Sequence, residues 1–298
     1  MYTLFKMNKV YEKLVISGGG IKGLSGLGAL QYLEDNKLLE SINTYIGTSI
    51  GGIILYLLAI GYKPIEIIVY FCTNSFLTKF SVVDVISLTN GTGMYDWNII
   101  NSFLEKMTLD KIGKFLTLRE LKEVYNKNLI VITYNFTNKK EEEISYINHP
   151  NMSCLVALRL SANLPLVFSR YRYLNCYYLD GGFINNLPVN LVDDIDKAII
   201  INLVNYTNKE ENESEDFKIY YYLYDLICIA ANINHKKSLD TINQKDNSDI
   251  INIKSKVHAI NFQINKSTQL ELFSEGYQTC KEQYEQIIEK IIEEELNQ

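Results

Sequence analysis

Ser49 lies in the sequence Gly47-Thr48-Ser49-Ile50-Gly51, between an apolar segment and a second, almost wholly apolar one. A Gly-x-Ser-x-Gly pattern in this place is typical of a nucleophile elbow, a strained strand-to-helix turn that exposes the serine Oγ. The amides and the dipole of the following helix would stabilise negative charge that develops beside the serine. The pattern therefore predicts Ser49 as a nucleophile, with N-capping of a buried helix as the structural alternative.

Three consecutive glycines, Gly18, Gly19 and Gly20, stand one strand–helix unit before Ser49. With Gly23 they give the Gly-x-Gly-x-x-Gly form of a dinucleotide-binding turn. Such a site also needs a carboxylate at the end of the second strand, where this chain has Tyr-Ile-Gly-Thr-Ser, and no Gly-Lys-Ser/Thr of a P-loop follows. Two adjacent strand ends would bring the glycine amides beside Ser49, which predicts an oxyanion hole. Nucleotide binding is the alternative from another class.

Asp180 is the candidate base, in the segment Tyr-Leu-Asp-Gly-Gly-Phe-Ile-Asn-Asn-Leu-Pro. A carboxylate at a strand end, followed by Gly181 and Gly182, can point into a cleft without steric interference, although a surface turn is the commoner fate of this triplet. An ordinary aspartate, with a pKa of about 3.9, is a weak base at neutral pH. Partial burial would raise the pKa and make Asp180 effective.

The chain has three histidines, His149, His235 and His258. The order Ser49, Asp180 and then His235 or His258 fits the catalytic triad of an α/β-hydrolase. Both of these histidines lie in polar segments late in the chain, where a solvated or structural role is common. A triad and a Ser–Asp pair therefore both stay open at this point.

Apolar segments with strand-like and helix-like spacing alternate along the chain. Such alternation predicts an α/β protein with a parallel core sheet, whose strand ends carry the candidate residues. Strands are predicted over 13–19, 42–47, 128–137 and 197–204, with a strand and turn over 177–189, a hairpin partner over 141–147 and a strand-like segment over 251–264. Helices are predicted over 21–40, 49–62, from Pro64, and over 96–107, 154–164, 219–233 and 267–296, with polar loops over 205–217 and 240–249.

Composition narrows the class of protein. The 298 residues are 47% hydrophobic and 21% charged with a net charge of −6, so a sizeable core is expected and a nucleic-acid partner is not. Five widely spaced cysteines without a Cys-x-x-Cys pair suggest neither disulfides nor a metal site. The first residues lack the apolar segment of a signal peptide, and the segment Ile-Gly-Gly-Ile-Ile-Leu-Tyr-Leu-Leu-Ala-Ile-Gly-Tyr is too short to span a bilayer. We expect a soluble, cytoplasmic protein without a cofactor, and leave peripheral membrane contact and the oligomeric state open.

The ordered segments GGGIKG, GTSIG and DGG resemble the patatin-like phospholipases, or lipid acyl hydrolases, whose pattern is G-G-G-x-[K/R]-G, G-x-S-x-G and D-G-[A/G]. GTGMYDWNIINSFLEKM, ALRLSANLPLVF and DGGFINNLPV are similar to further segments of that family. The resemblance covers roughly residues 10–205.

This resemblance implies a three-layer α/β/α fold with a mostly parallel central sheet. It implies calcium-independent hydrolysis of fatty acyl esters in phospholipids or neutral lipids, at a membrane or micelle surface, through an acyl-enzyme. A catalytically silent, lipid-binding member of the family is the alternative. Ser49 would be the nucleophile and Asp180 its base, without a histidine. The oxyanion hole would consist of backbone amides around Gly18, Gly19, Gly20 and Ile21.

The remaining motif positions would support the site. Lys22 matches the basic position of the family, and Arg159 and Pro165 match a segment expected to support the geometry. Asn135 and Asn138 depart from the pattern, since many members have aspartate and glycine there. The glycines that complete the motifs are Gly23, Gly47, Gly51, Gly181 and Gly182.

Residues 206–298 carry no strong signature of the family. We expect them to form a C-terminal extension packed on the same core as a catalytic domain over 10–205. Within this extension, the Tyr-rich segment 219–233 is open to two interpretations, a core helix or a lid or interfacial helix.

Overall fold

The computed structural model describes residues 9–74, 76–80, 93–205, 219–243 and 249–296, and within these a mixed eight-stranded sheet forms the centre of the protein. The strand order is β5-β6-β3-β2-β1-β7-β8, with β4 paired to β3. Strands β3, β2, β1, β7 and β8 run parallel, whereas β4, β5 and β6 are antiparallel to their neighbours. The predicted α/β fold with a mostly parallel central sheet is therefore confirmed. The strands are Lys13–Ile16 (β1), Thr44–Thr48 (β2), Asn128–Asn135 (β3), Lys140–Ile144 (β4), Tyr171–Tyr173 (β5), Cys176–Asp180 (β6), Ala198–Asn205 (β7) and Asp249–Ser255 (β8).

Helices flank this sheet, and all except the helix over 118–125, which was not predicted, lie close to where the sequence predicts them. They are Gly23–Asp35 (α1), Ile50–Ala59 (α2), Pro64–Thr73 (α3), Asn98–Ile112 (α4), Leu118–Tyr125 (α5), Cys154–Ser161 (α6), Ile219–Asn243 (α7) and Lys266–Leu296 (α8).

Two predicted bounds in the C-terminal part were wrong. Helix α7 continues to Asn243 instead of ending at 233, and Leu239 near its end still packs on the sheet. Strand β8 ends at Ser255, because the residues that follow form turns in which the amide of Asn261 donates to the carbonyl of His258. The predicted polar loops lie largely outside the described residues, the first from residue 206 onward and the second over 244–248.

The two faces of the sheet bury different partners because side chains alternate along a strand. In β1, Leu14 and Ile16 point into the large core formed with the helices. Val15 points to the opposite face, where a smaller cluster includes Leu187 and Val192 and is completed by Leu239 of α7. The parallel strands thus carry apolar side chains on both faces, which explains their nearly continuous apolar sequences.

Residues 249–296 extend this architecture. Strand β8 adds to the sheet beside β7, and the hydroxyl of Tyr11 donates to Asp249 at 2.6 Å. Helix α8 packs along α1, where Tyr32 meets the rings of Tyr277 and Tyr284 at centroid distances of 5.5 and 6.2 Å. A domain boundary after residue 205 stays a prediction.

Taken singly, every helix in the described ranges is too short or too polar to cross a bilayer. Helices α2 and α3 together have the length and apolar composition of a membrane span, but a bend of 115° separates them.

Candidate active site

Ser49 occupies the strained turn that the Gly-x-Ser-x-Gly pattern predicts. It follows β2 directly, precedes α2, and has φ +56° and ψ −124°, a conformation that is unfavourable for a residue with a side chain. Helix α2 passes so close to β1 that a Cβ at Gly51 would lie 2.7 Å from the carbonyl oxygen of Ser17. The Ser49 side chain makes no capping hydrogen bond to α2. Its hydroxyl is therefore not used as a helix cap, and the capping alternative loses its main support.

The sheet brings Asp180 to the same level as Ser49. In the pairing of β2 with β3, the last residue of β2, Thr48, lies opposite Ile132. In the pairing of β6 with β3, the last residue of β6, Asp180, lies opposite Thr133, the next residue of β3. Strand β4 pairs with residues 131–135 on the other edge of β3. Because a strand has only two edges, β2 and β6 share one edge of β3, and their carboxyl ends meet head to head.

The Asp180 carboxylate is buried, and only one of its two oxygens accepts a hydrogen bond of normal geometry. Its side chain is 1% exposed, and Oδ1 accepts the amide of Gly182 at 2.7 Å. Burial raises the pKa of Asp180 to about 7, opposed by the nearby Ser49 hydroxyl and the Gly182 amide. The buried Oδ2 nevertheless accepts no hydrogen bond of normal geometry from any described residue. Asp180 is thus a buried carboxylate with a raised pKa near the Ser49 hydroxyl, and such a group can act as a base at neutral pH.

Arg159 and Asn163 hold the strand that carries Asp180. The amide of Asp180 donates to the carbonyl of Asn163 at 3.0 Å, and the side-chain amide of Asn163 donates to the carbonyl of Tyr178 at 2.6 Å. Arg159 is buried, and its guanidinium donates to Asn163 Oδ1 at 2.6 Å and to the carbonyl of Ser169 at 2.9 Å. Arg159 therefore acts on the geometry of Asp180 through Asn163. Helix α6 ends before Asn163, and Pro165 lies in the loop that follows.

Two of the four amides expected in the oxyanion hole donate hydrogen bonds to backbone carbonyls instead. The amide of Gly18 donates to the carbonyl of Asn186 at 3.1 Å, and the amide of Ile21 donates to the carbonyl of Ala259 at 2.9 Å. Both bonds fix the course of the glycine loop, one to the segment after Asp180 and one to the segment after β8.

The amides of Gly19 and Gly20 donate no hydrogen bond to any residue in the described part of the chain. Gly20 has φ +56°, and a Cβ there would collide with the carbonyl of Ala259. The loop lies next to the elbow, because a Cβ at Gly18 would be 3.3 Å from the Cβ of Ser49. Two unpaired backbone donors therefore lie in the loop that passes Ser49 and lines the same cavity.

Ser49, Asp180 and the glycine loop line one cavity of about 470 Å³. Lys22 also lines it and is 4% exposed, and burial lowers its pKa to about 8. Helix α7 forms another wall of this cavity, with Tyr224, Asp225, Cys228, Ala231 and His235.

A second, apolar pocket meets the first at Ser49. Gly20, Ser49 and Leu164 line both spaces. The apolar pocket is rich in aromatic side chains, and its lining includes Phe71, Phe76, Phe80, Phe103, Phe168 and Phe262. The serine hydroxyl thus stands between a polar space and an apolar one.

The histidines do not complete a triad in the described part of the structure. His258 pairs with Asp225 at 3.1 Å and stacks on Tyr221 at a centroid distance of 4.3 Å. His235 lines the cavity, and its Nδ1 makes no hydrogen bond to a described residue. Burial lowers the pKa of both. Because Asp180 Oδ1 is taken by an amide and Oδ2 accepts no bond, neither histidine is oriented by Asp180 as a triad requires.

Several residues that fix this geometry are not among those predicted from the sequence. Ser161 accepts the amide of Ser49 at 3.0 Å and donates to the carbonyl of Ile132 at 2.6 Å. Asn163 was missed as well, although both lie inside the segment ALRLSANLPLVF. The departure at Asn135 is accommodated locally, since its Oδ1 accepts the amide of Asn138 at 2.9 Å and closes the β3–β4 turn.

The fold and the elbow define an α/β protein with a serine at a strand-to-helix turn. A sequence profile of the patatin-like phospholipase family matches residues 14–193, and the chain belongs to this family.

The chain is also similar to two viral proteins. The chain is 34% identical over 221 residues to the probable lipid hydrolase 463L of Invertebrate iridescent virus 6, covering 73% of this chain and 72% of the relative. It is 28% identical over 285 residues to the uncharacterized protein R571 of Acanthamoeba polyphaga mimivirus, covering 93% and 95%.

Two bacterial structures share the fold. VipD from Legionella pneumophila matches with a TM-score of 0.56 and 20% identity, over 94% of this chain and 67% of VipD. ExoU from Pseudomonas aeruginosa, in complex with SpcU, matches with a TM-score of 0.55 and 18% identity, over 94% of this chain. The chain spans about half of the length of ExoU, 52%.

Proposed function

We propose that the protein hydrolyses fatty acyl esters of lipids, with Ser49 as nucleophile and Asp180 as its base. The observation that carries the proposal is the meeting, in one cavity, of the Ser49 hydroxyl, the buried Asp180 carboxylate and the unpaired amides of Gly19 and Gly20. Membership of the patatin-like phospholipase family and the name of the viral relative support lipid hydrolysis in general.

In the proposed first step, Ser49 Oγ attacks the ester carbonyl carbon while Asp180 Oδ2 takes the hydroxyl proton. The carbonyl oxygen becomes an oxyanion that accepts hydrogen bonds from Gly19 and Gly20, beside the positive end of the α2 dipole. The bond to the alcohol then breaks, and the leaving alcohol takes the proton back from Asp180.

The second step reverses the roles of the same groups. Water attacks the acyl-enzyme while Asp180 again takes the proton, and the fatty acid leaves as Ser49 recovers its proton. The raised pKa of Asp180 supports this assignment, because a base with a pKa near the working pH both accepts and returns a proton readily.

The apolar pocket supports a fatty acyl substrate. It begins at Ser49, has a volume of about 70 Å³ and is lined almost entirely by aliphatic and aromatic side chains, so the part of an acyl chain next to the ester would leave water there without loss of hydrogen bonds. The polar cavity on the other side, with Lys22 and the residues of α7, would receive the alcohol part of the ester.

The test combines covalent labelling with ester hydrolysis. A fluorophosphonate should label the wild type and the Ser41→Ala variant, in which an exposed serine is changed, but not Ser49→Ala. Both Ser49→Ala and Asp180→Ala should lose hydrolysis of a short soluble ester and of phosphatidylcholine. The double variant His235→Ala/His258→Ala should keep at least half of the activity. Labelling of Ser49→Ala as strong as that of the wild type, or loss of hydrolysis in a folded histidine double variant, would contradict the proposal.

A further inference from the structure

Helix α7 carries two rows of side chains on opposite sides. Tyr224, Cys228, Ala231 and His235 line the cavity, and they follow one another at intervals of four, three and four residues. A second row with the same intervals starts two residues earlier, at position 222. Two residues correspond to about 200° around a helix, so the second row points away from the cavity.

This second row is apolar and exposed. We define the outward face of α7 as Tyr222, Leu223, Leu226, Ile229 and Ile233, which are 49%, 36%, 44%, 53% and 53% exposed. A helix packed on a protein core normally buries its apolar row and exposes its polar one. Helix α7 exposes an apolar row as well, because its inner row lines the cavity instead of packing in the core. A contiguous apolar row of this kind indicates an interaction surface.

We propose that the outward face of α7 docks on the surface of a lipid bilayer. The inference rests on the proposed function, because that function requires a substrate that resides in a bilayer. Its structural basis is continuity: the helix that exposes the apolar row also forms a wall of the cavity that holds Ser49. Helix α7 also packs against the turn Gly181–Phe183, which directly follows Asp180.

The chemistry of the row fits an interface between lipid and water. Tyr222 has an apolar ring and a polar hydroxyl, a combination that suits the headgroup region. Leu226, Ile229 and Ile233 form an uninterrupted aliphatic row, and Lys237, one turn beyond Ile233, is exposed. Helices that lie in the plane of a membrane combine such an apolar row with charged residues beside it.

The experiment measures vesicle binding without turnover. Full-length Ser49→Ala protein is sedimented with phosphatidylcholine vesicles, with and without the added pair Ile229→Asp/Ile233→Asp. The control pair, Leu109→Asp/Val124→Asp, adds the same charge at exposed apolar positions of α4 and α5, which are 44% and 62% exposed. The same two pairs are also made in the protein that retains Ser49. Hydrolysis of a short soluble ester by these variants reports folding and chemistry separately from docking.

We expect the α7 pair to weaken vesicle partitioning by about tenfold or more, since two half-exposed isoleucines would otherwise be buried in lipid. The control pair should bind vesicles within about twofold of the parent, and both pairs should hydrolyse the soluble ester. Equal binding by the α7 pair and the parent, equal loss in the control pair, or no binding by the parent would overturn the inference. A parent dimer that the α7 pair converts to a monomer would overturn it in favour of self-association. Failure of the protein that retains Ser49 and carries neither pair to hydrolyse the soluble ester, with vesicle binding of the Ser49→Ala parent intact, would instead reject the proposed function alone.

Discussion

Replacing Asp180 by Asn should abolish hydrolysis and stabilise the folded protein above pH 7. Asparagine has nearly the same shape and keeps the Oδ1 acceptor for the amide of Gly182. It cannot ionise, however, and so it removes a buried negative charge that the fold holds at an energetic cost. The proposed base would thus be a residue at which activity and stability oppose each other.

The magnitude follows from the pKa of Asp180, which burial raises from 3.8 to about 7. Each pKa unit corresponds to about 1.4 kcal/mol, so the ionised carboxylate destabilises the folded state by up to about 4 kcal/mol. The folded protein holds this proton more tightly than the unfolded chain does. The Asp180 contribution therefore lowers the stability of the wild type as the pH rises from about 4 to about 7, and is constant at higher pH.

Urea unfolding between pH 5 and pH 8 measures this effect, with the fluorescence of the single tryptophan, Trp97, as the probe. The free energy of unfolding of Asp180→Asn should exceed that of the wild type increasingly over this range. Asp196→Asn is the matched control, because it removes the same charge from an exposed position and should show no such increase. In parallel, kcat/KM of the wild type should rise with pH through about 7 as Asp180 ionises.

Two results would refute this reasoning. If Asp180→Asn were no more stable than the wild type at pH 8, the carboxylate would not be held at an energetic cost. If the stability difference were the same at pH 5 and pH 8, it would come from packing or hydrogen bonding and not from the charge.

Two further substitutions test the groups around the dyad. Gly20→Ala should lower the melting temperature measured by circular dichroism and reduce kcat at least about tenfold. The backbone at φ +56° disfavours alanine by about 1–2 kcal/mol, and a Cβ collides with Ala259. A variant as active and as stable as the wild type would contradict this prediction. Arg159→Lys should reduce kcat about tenfold with KM nearly unchanged in steady-state assays, because lysine cannot donate to Asn163 and to the carbonyl of Ser169 at the same time. A change in KM alone would contradict a positioning role.

The parts of the fold that depend on local sequence could be predicted. The apolar strands and helices, the mostly parallel sheet and the turn at Ser49 follow from periodicity and from glycine spacing within a few residues. Helix α7 was predicted too short, because its last apolar contact, Leu239, depends on a cluster formed by distant residues. Its two opposed rows could not be assigned before the position of the cavity was known.

The parts of the candidate site that depend on distant partners could not be predicted. The amides of Gly18 and Ile21 are bound to Asn186 and Ala259, which are far away in the chain, and spacing gives no sign of this. The sequence left open whether Asp180 is buried enough to act as a base. That property depends on the whole cavity, including the wall that α7 provides.

The placement of Asp180 depends on the register of one short antiparallel strand. A slip of β6 by one residue against β3 would turn every side chain of β6 to the other face of the sheet, and Asp180 would leave the cavity. Asn163 bonds the strand at two points, the carbonyl of Tyr178 and the amide of Asp180, and both bonds exist only in the observed register. Arg159 holds Asn163 in turn, although burial lowers the pKa of its guanidinium to about 10 and so disfavours the charge. A buried arginine in this position is explained by the register that it stabilises, without any contact with substrate.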